Sequence, residues 1–262
     1  MNKKTEVRPT SRVSEIDPPL NNSNLVLTGT YGEDDGLPFF ILLPYILIIM
    51  SNHYREKKIG YTDDGRLIQF DTGESIMMDW ECPMMEFQAK QICMNGGDVL
   101  NVGYGLGCTD HAIETCNITS HSIIEIHPDV QSRIMSLGWH KKPHVKLYFG
   151  DWRSFLTRLP KFDGVYFDTW DEGSREFFEF LPNILKPNGI ATFFNTPKDD
   201  HDGDNIIDES IDLIHQYFDV EMTTMEIPFI DSYERQSGSP DRYYWKKEWT
   251  TYYSPLLRLK KR

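Results

Sequence analysis

The chain has 262 residues and a formal net charge of −13, from 27 basic and 40 acidic side chains. This length is enough for one well-packed domain with an additional arm. The negative charge argues against a nucleic-acid partner, which would need a basic stripe, so a cationic or neutral substrate fits better.

The first third of the chain is predicted to form a tail and an arm. Residues 1–24 are polar without an apolar period, which predicts a flexible tail. Residues 25–92 are predicted to form an N-terminal arm or lid. Its apolar run at 37–50 is too short to cross a membrane and contains Pro44, so no membrane partner is expected. We expect this run to pack on the core or on the second subunit of a homodimer.

Two turn signals follow the apolar run. Asp63-Asp64-Gly65 and Asp71-Thr72-Gly73 separate short segments of β-branched and aromatic residues. This pattern predicts a small hairpin or meander within the arm.

Residues 93–262 are predicted to form the main domain, in which apolar strands alternate with helices. Helices are predicted at 83–94, 109–115, after Pro128, near Phe155, at 174–185 and at 206–218. Strands are predicted at 98–102, 122–126, 145–148, 162–168 and 190–195, and segments at 220–227 and 249–259 are expected to be antiparallel edge strands. The alternation predicts an α/β fold, a Rossmann-like, seven-stranded, mostly parallel sheet with helices on both faces.

A glycine-rich loop follows the first strand of this sheet. Gly103, Gly105 and Gly107 stand in the segment DVLNVGYGLG, where glycine lets the backbone turn sharply and approach a ligand. Glu125 ends the next strand, about twenty residues on, where an acidic side chain can bind two ribose hydroxyls. A nucleotide-type ligand is indicated. The G-x-G-x-G spacing disfavours a nicotinamide-dependent oxidoreductase, for which G-x-G-x-x-G is expected.

Two further strand ends carry candidate ligand-binding residues. Asp168 follows a strand in VYFDTW, and Asp151-Trp152 follows another in FGDW. An indole face can stack on adenine, and a carboxylate can accept from its amino group. The structural alternatives are a helix cap for Asp168 and a core position for Trp152.

These motifs resemble those of class I S-adenosylmethionine-dependent methyltransferases. LNVGYGLG, IIEIHP and LKPNGIATFF occur in that family's order. The block MMDWECPMM at 77–85 resembles M-x-x-W-E-x-P-x-M of guanidinoacetate methyltransferase, and more closely that of yeast-type δ-N-arginine methyltransferases. YTDDG, GDW and FDTW also follow the order of the latter group.

The resemblance implies S-adenosylmethionine as cofactor and a guanidino group as methyl acceptor. It makes Glu81 and Asp168 the catalytic pair that holds the acceptor, with Trp80 and Thr169 beside them. The residues implied to line the cofactor are Met77, Met85, Gly103, Tyr104, Gly105, Gly107, Glu125, Ile126, Asp151, Trp152 and Asp168.

Elementary chemistry supports a carboxylate pair for this acceptor. A guanidinium is a planar cation with a forked donor pattern, which carboxylates match bidentately. Proton transfer from free guanidinium to a carboxylate is uphill by about 9 pKa units, or roughly 12 kcal/mol, so the proton is expected to leave as the nitrogen attacks. We expect Asp168 to accept it. The alternative for Glu81 is a surface salt bridge or an N-cap contact beside Pro83.

The expected substrate is L-arginine, free or within a peptide. No repeats are visible in residues 1–76, unlike in the yeast-type enzymes, which favours free arginine or another small guanidino compound such as guanidinoacetate. Arg235, Arg242 or Tyr243-Tyr244 are candidates to bind the carboxylate of free arginine. The rival from another class is a non-catalytic binding or dimerisation module, and the presence of both Glu81 and Asp168 disfavours it.

The cysteines predict the redox compartment. Cys82, Cys93, Cys108 and Cys116 form no C-x-x-C pair and no zinc-type spacing. We therefore expect no metal site and a reduced, cytoplasmic protein.

Overall fold

The computed structural model describes residues 54–169, 174–195, 206–227 and 250–261. The predicted tail at 1–24 and the apolar run at 37–50 lie outside these residues. Within the described part of the chain, no helix is both long and apolar enough to cross a membrane.

The described part of the arm is a three-stranded antiparallel sheet. Its strands are β1 (Ile59–Tyr61), β2 (Arg66–Gln69) and β3 (Ser75–Met78), in the order β1-β2-β3. Alternation along β2 buries Leu67 and Gln69 and leaves the other two residues partly exposed. The predicted meander is therefore confirmed, with its turns at the two Asp- and Gly-containing signals.

A helix leads from the arm into the main domain, which continues as alternating strands and helices. The elements are α1 (Cys82–Ile92), β4 (Asp98–Val102), α2 (Cys108–Ile113), β5 (Ser120–Glu125), α3 (Pro128–Ser136), β6 (Val145–Phe149), β7 (Phe162–Phe167), α4 (Ser174–Ile184), β8 (Leu185–Phe193), α5 (Ile206–Tyr217), β9 (Phe218–Glu226) and β10 (Thr251–Leu259).

The main sheet has seven strands in the order β6-β5-β4-β7-β8-β10-β9. The pairs from β6 to β8 are parallel, and β10 runs antiparallel to both of its neighbours. One apolar cluster covers each face of the sheet. The predicted fold is confirmed. The strand order reverses between β4 and β7, and in such sheets the ligand crevice opens beyond the carboxyl ends of these strands.

The structure corrects the prediction that both last strands are edge strands. β10 lies inside the sheet, because Tyr252, Leu256 and Leu257 are buried and need neighbours on both sides. β9 takes the edge, since most of its side chains are partly or fully exposed, and it runs in the same direction as the parallel strands.

The helix predicted near Phe155 is also wrong. Two 3-10 turns, Trp152–Ser154 and Leu156–Arg158, stand there instead. Leu159 is extended, as expected for a residue that precedes a proline. Pro160 therefore ends the helical segment before an α-helix can form.

Helix α1 packs against the centre of the main sheet. It begins with Pro83 in its first turn, as predicted. Gly164 of β7 lies so close to the Ile92 carbonyl that a Cβ there would overlap it. This tight packing fixes α1 on the sheet, and Glu81 immediately precedes the helix. The domain boundary between residues 92 and 93 stays a prediction.

Candidate active site

The glycine loop follows β4 and lies beside the end of β7, at the point where the strand order reverses. Gly103 has a φ of +95°, and a Cβ at this position would overlap the backbone oxygen of Asp168. The Asp168 N–H donates to the Val102 carbonyl at 2.9 Å. Only glycine combines this φ with so close an approach. The loop and the end of β7 are thereby held together.

Glu125 is held at the end of β5 by the backbone N–H groups of Tyr104, Ile126 and His127. Its Oε2 accepts from Tyr104 N at 2.9 Å, and its Oε1 accepts from His127 N at 2.7 Å. The side chain is only 5% exposed. Burial raises the pKa of this carboxyl, while the backbone donors act in the opposite direction. Each oxygen retains acceptor capacity for a ligand hydroxyl.

A buried polar network contacts the glycine loop through the side chain of Asn101. Asn101 Nδ2 donates to the Gly103 carbonyl and to Asp110, at 2.9 and 2.8 Å. His121 lies 3.0 Å from both Asp110 and Glu114, one at each ring nitrogen. Burial alone lowers the pKa of His121, but the hydrogen bonds to these carboxylates raise it above its usual value. The network therefore ties the loop to α2 and β5.

The arm covers the other side of the loop. Met77 is buried, and its Sδ accepts from Leu106 N at 3.0 Å. The Tyr61 hydroxyl donates to the Gly105 carbonyl at 3.4 Å. The arm thus contacts the same backbone that the sequence assigns to the cofactor.

Glu81 is buried at the junction between the arm and α1. It is 5% exposed, and its Oε2 accepts from Met78 N at 2.7 Å. A surface salt bridge does not describe a side chain this buried, whereas a local capping contact is present. Trp80 is also buried and donates from Nε1 to Met78 Sδ at 3.1 Å.

Asp168 lies just beyond β7 and is partly exposed. Burial among the surrounding groups raises the pKa of its carboxyl to about 7. Among the described residues, no side chain or backbone N–H donates to this carboxylate. A carboxyl in this environment is suited to exchange a proton near neutral pH.

Two buried tyrosines, Tyr166 and Tyr252, are influenced by the charges of both Glu81 and Asp168. Burial, followed by the charges of both carboxylates, raises the pKa of Tyr166 on β7 and of Tyr252 on β10. Both carboxylates therefore act on the same tyrosine pair. The structure brings together two side chains that are far apart in the sequence.

Asp151 and Trp152 lie at the end of β6. Asp151 caps the following 3-10 turn by accepting from Arg153 N at 3.0 Å. Trp152 is buried against Phe167 and Phe177, edge to face, and the Arg153 guanidinium lies 4.4 Å from its ring centroid. Trp152 therefore occupies a core position, as its structural alternative predicts. Contact of Asp151 and Trp152 with adenine stays a prediction.

The other predicted site residues differ in accessibility. Met85 is 2% exposed within the core of the domain, whereas Ile126 and Thr169 are half-buried. Arg235, Arg242 and Tyr243-Tyr244 lie outside the described residues.

A polar cluster that was not predicted joins α1, β7 and β8, and a further hydrogen bond joins the end of β8 to β10. Tyr166 donates to Gln88 Oε1 at 3.0 Å, and Gln88 Nε2 donates to the Phe193 carbonyl at 2.8 Å. Asn195 N donates to the Tyr252 hydroxyl at 3.1 Å. The only available signal was the position of Asn195 at the end of a predicted strand.

The cysteines correct the expectation of a fully reduced chain. Cys82 and Cys108 form a disulfide, with 5.2 Å between their Cα atoms. These residues directly follow Glu81 and Gly107, so the bond joins the first turns of α1 and α2. Cys93 is a free thiol whose pKa is raised by burial and by the neighbouring Cys116.

Comparison with known proteins identifies relatives of this chain. The model of the family described as guanidinoacetate N-methyltransferase matches residues 50–220. A protein arginine N-methyltransferase 2 from Emericella nidulans is 32% identical over 209 residues, covering 75% of this chain and 48% of the relative. Its namesake from Kluyveromyces lactis is 34% identical over 154 residues, covering 54% of this chain and 38% of the relative. The chain thus spans half or less of these relatives.

A solved structure shares the fold at low sequence identity. Spermidine synthase from Thermotoga maritima matches with a TM-score of 0.54 and 14% identity, covering 78% of this chain and 72% of that chain. This likeness concerns the fold alone. The family model covers well over half of the chain, and its match includes Glu81, the glycine loop and Asp168. The chain belongs to the guanidinoacetate N-methyltransferase family.

Proposed function

We propose that this chain is an S-adenosylmethionine-dependent N-methyltransferase whose acceptor is the guanidino group of L-arginine, free or in a peptide. The observation that carries the proposal is that two carboxylates, the buried Glu81 and the partly exposed Asp168 beside Gly103, both act electrostatically on the tyrosine pair Tyr166 and Tyr252. The relatives named protein arginine N-methyltransferase 2 support arginine as the acceptor. Guanidinoacetate is the alternative acceptor, supported by the name of the family.

The residues at the ends of β4 and β5 fit the proposed cofactor. The loop from Gly103 to Gly107 leaves backbone without side chains at alternate positions, and Glu125 has spare acceptor capacity for two hydroxyls. When bound, S-adenosylmethionine supplies a methyl group on a sulfonium cation. The negative charges of Glu81 and Asp168 offset the repulsion between this cation and a guanidinium.

Glu81 and Asp168 have different proposed roles. Glu81, already fixed by the Met78 N–H, orients the planar guanidinium through its carboxylate oxygens. Asp168 accepts the proton that the nitrogen releases as it attacks. Its pKa of about 7 brings it closer to that task than an ordinary aspartate. The non-catalytic module has no use for such an arrangement.

The direct test is methyl transfer from labelled S-adenosylmethionine. We expect label to appear on free arginine, arginine peptides, or both, in a panel that also holds guanidinoacetate and agmatine. Fragmentation mass spectrometry then identifies the nitrogen and the number of methyl groups. Transfer to guanidinoacetate alone would replace arginine with the alternative acceptor. Cofactor binding without transfer to any guanidino compound would favour the non-catalytic module.

The pH dependence of the reaction tests the role of Asp168. Because burial raises its pKa from 3.8 to about 7, the free enzyme carries the reactive carboxylate only at higher pH. We expect kcat/KM for the acceptor to fall about tenfold per pH unit below this pKa, since that parameter reports the free enzyme. The acid limb of the kcat profile should lie at lower pH. The bound guanidinium stabilises the charged carboxylate of Asp168 and so lowers its pKa. A kcat/KM that is flat from pH 5 to 8 would contradict this assignment.

The same pKa shift fixes the direction of a stability change. The folded carboxyl binds its proton more tightly than the unfolded one, so stability falls as pH rises from about 4 to about 7 and then levels off. The Asp168→Asn variant should lack this contribution. Urea unfolding of both proteins across that interval measures it.

Homodimer formation and a cytoplasmic location are further parts of the proposal. The apolar run at 37–50 is the segment proposed to join two subunits. Sedimentation of the full chain beside a variant with two aspartates in this run tests it, since the variant is expected to be monomeric.

A further inference from the structure

Asn195 has a buried side-chain oxygen that pairs with no group in the described part of the chain. The residue follows β8 and is 2% exposed. Its Oδ1 is buried and has no hydrogen-bond partner among the residues that the structure describes. Buried amide oxygens are nearly always paired, since leaving one unpaired costs the free energy of its lost hydration. An unpaired acceptor at a strand end is therefore a candidate for a donor that a ligand brings.

The position of Asn195 places it beside the carboxylate pair. Phe193, two residues earlier, pairs with Phe167, which immediately precedes Asp168. The Asn195 N–H donates to the Tyr252 hydroxyl, and Tyr252 in turn lies near both Asp168 and Glu81. The unpaired oxygen thus belongs to a residue anchored to the centre of the candidate site.

The proposed substrate has one more N–H donor than the two carboxylates can accept, and Asn195 Oδ1 can accept it. A monoalkyl guanidinium carries five N–H donors. Two carboxylates that each bind bidentately use four of them. A neutral amide oxygen adds an acceptor without a third negative charge, which would oppose ionisation of Asp168.

We propose that Asn195 Oδ1 accepts an N–H of the substrate guanidinium and so contributes to acceptor recognition. The proposal rests on the proposed function and adds a substrate contact to it. It also explains why a polar side chain occupies this buried position, since the substrate supplies the donor that the described residues do not.

The test compares Asn195→Leu with the wild-type protein. Leucine has a similar volume and no acceptor. We expect KM for the guanidino acceptor to rise about 10- to 100-fold, the range for losing a hydrogen bond to a charged group. The dissociation constant of S-adenosylmethionine should stay within about twofold. The midpoint of thermal unfolding without substrate should stay the same or rise, because leucine replaces a buried acceptor that lacks a partner.

Asn95→Leu is the matched control. Asn95 is exposed near the opposite end of the sheet, where its Nδ2 donates to the Asn188 carbonyl. This variant should leave both KM values unchanged. An Asn195→Leu protein with unchanged acceptor KM, or with a lowered thermal midpoint and equally weakened cofactor binding, would overturn the proposal in favour of a structural role.

A second variant covers the case in which Asn195→Leu does not fold. Asn195→Asp keeps the shape and the acceptor and adds a charge next to Asp168. Its acceptor KM should stay within about threefold, and the acid limb of kcat/KM should move to higher pH. An unmoved limb would overturn the proposal. Absence of methyl transfer by the wild-type protein would instead refute the proposed function.

Discussion

The Asp168→Asn variant is expected to lose at least about 10²-fold in kcat while still binding S-adenosylmethionine. An amide has nearly the same shape as the carboxyl but can neither accept the proton nor carry the negative charge, and a positioned proton acceptor contributes about 10²- to 10⁴-fold. The backbone contact between Asp168 and Val102 does not depend on the side chain, so the end of β7 should keep its place. Single-turnover kinetics and calorimetric titration with the cofactor measure the two effects.

The pH profile gives this prediction a second readout. The asparagine resembles the protonated carboxyl, which predominates below the pKa of about 7. The residual activity of the variant should therefore show no acid limb near neutral pH. Glu81→Gln is the matched comparison, since it removes the other carboxylate and should retain that limb. A variant at Asp168 with wild-type turnover would exclude this residue as the proton acceptor.

The Gly103→Ala variant is expected to lose cofactor binding and to be destabilised by about 3 kcal/mol or more. Alanine is strained at a φ of +95°, and its Cβ would overlap the Asp168 backbone oxygen. Relief requires the loop to move away from β7, which displaces Tyr104 N from Glu125. Urea unfolding measures the stability change, and calorimetric titration should show at least about 100-fold weaker binding of S-adenosylmethionine.

Gly73→Ala separates backbone strain from overlap. Gly73 also has a positive φ, of +74°, but a Cβ there would meet nothing within 4 Å. This control should cost only about 1 kcal/mol and leave cofactor affinity unchanged. Equal losses in the two variants would mean that backbone strain, and not the closure of the loop on β7, controls the site.

The strands of the main sheet were predictable because each leaves a local trace in the sequence. Val99, Leu100 and Val102 form a short apolar run that suits a buried strand, and Gly103 ends it where the backbone must turn. The segment near Phe155 lacked so clear a signal. Its aromatic and leucine residues fit a helix, but Pro160 leaves room only for two short turns.

The position of β10 depended on competition between two segments. Both β9 and β10 have strand composition, so neither sequence excludes the edge. β10 moves inside because Tyr252 and Leu257 gain burial from two neighbouring strands, whereas β9 tolerates exposure. Such a choice depends on the whole sheet and not on the pattern of either segment.

The strand–helix alternation, the glycine loop and the family resemblance that singled out Glu81 and Asp168 were all predictable from the sequence, because they depend on residue type and local spacing. The influence of both carboxylates on one tyrosine pair and the pairing of Cys82 with Cys108 could be seen only in the folded chain. The folded chain likewise shows that Asn195 Oδ1 has no partner within residues 54–169, 174–195, 206–227 and 250–261. Burial and partnership arise from segments distant in sequence, and burial is what moves the pKa of Asp168 to about 7.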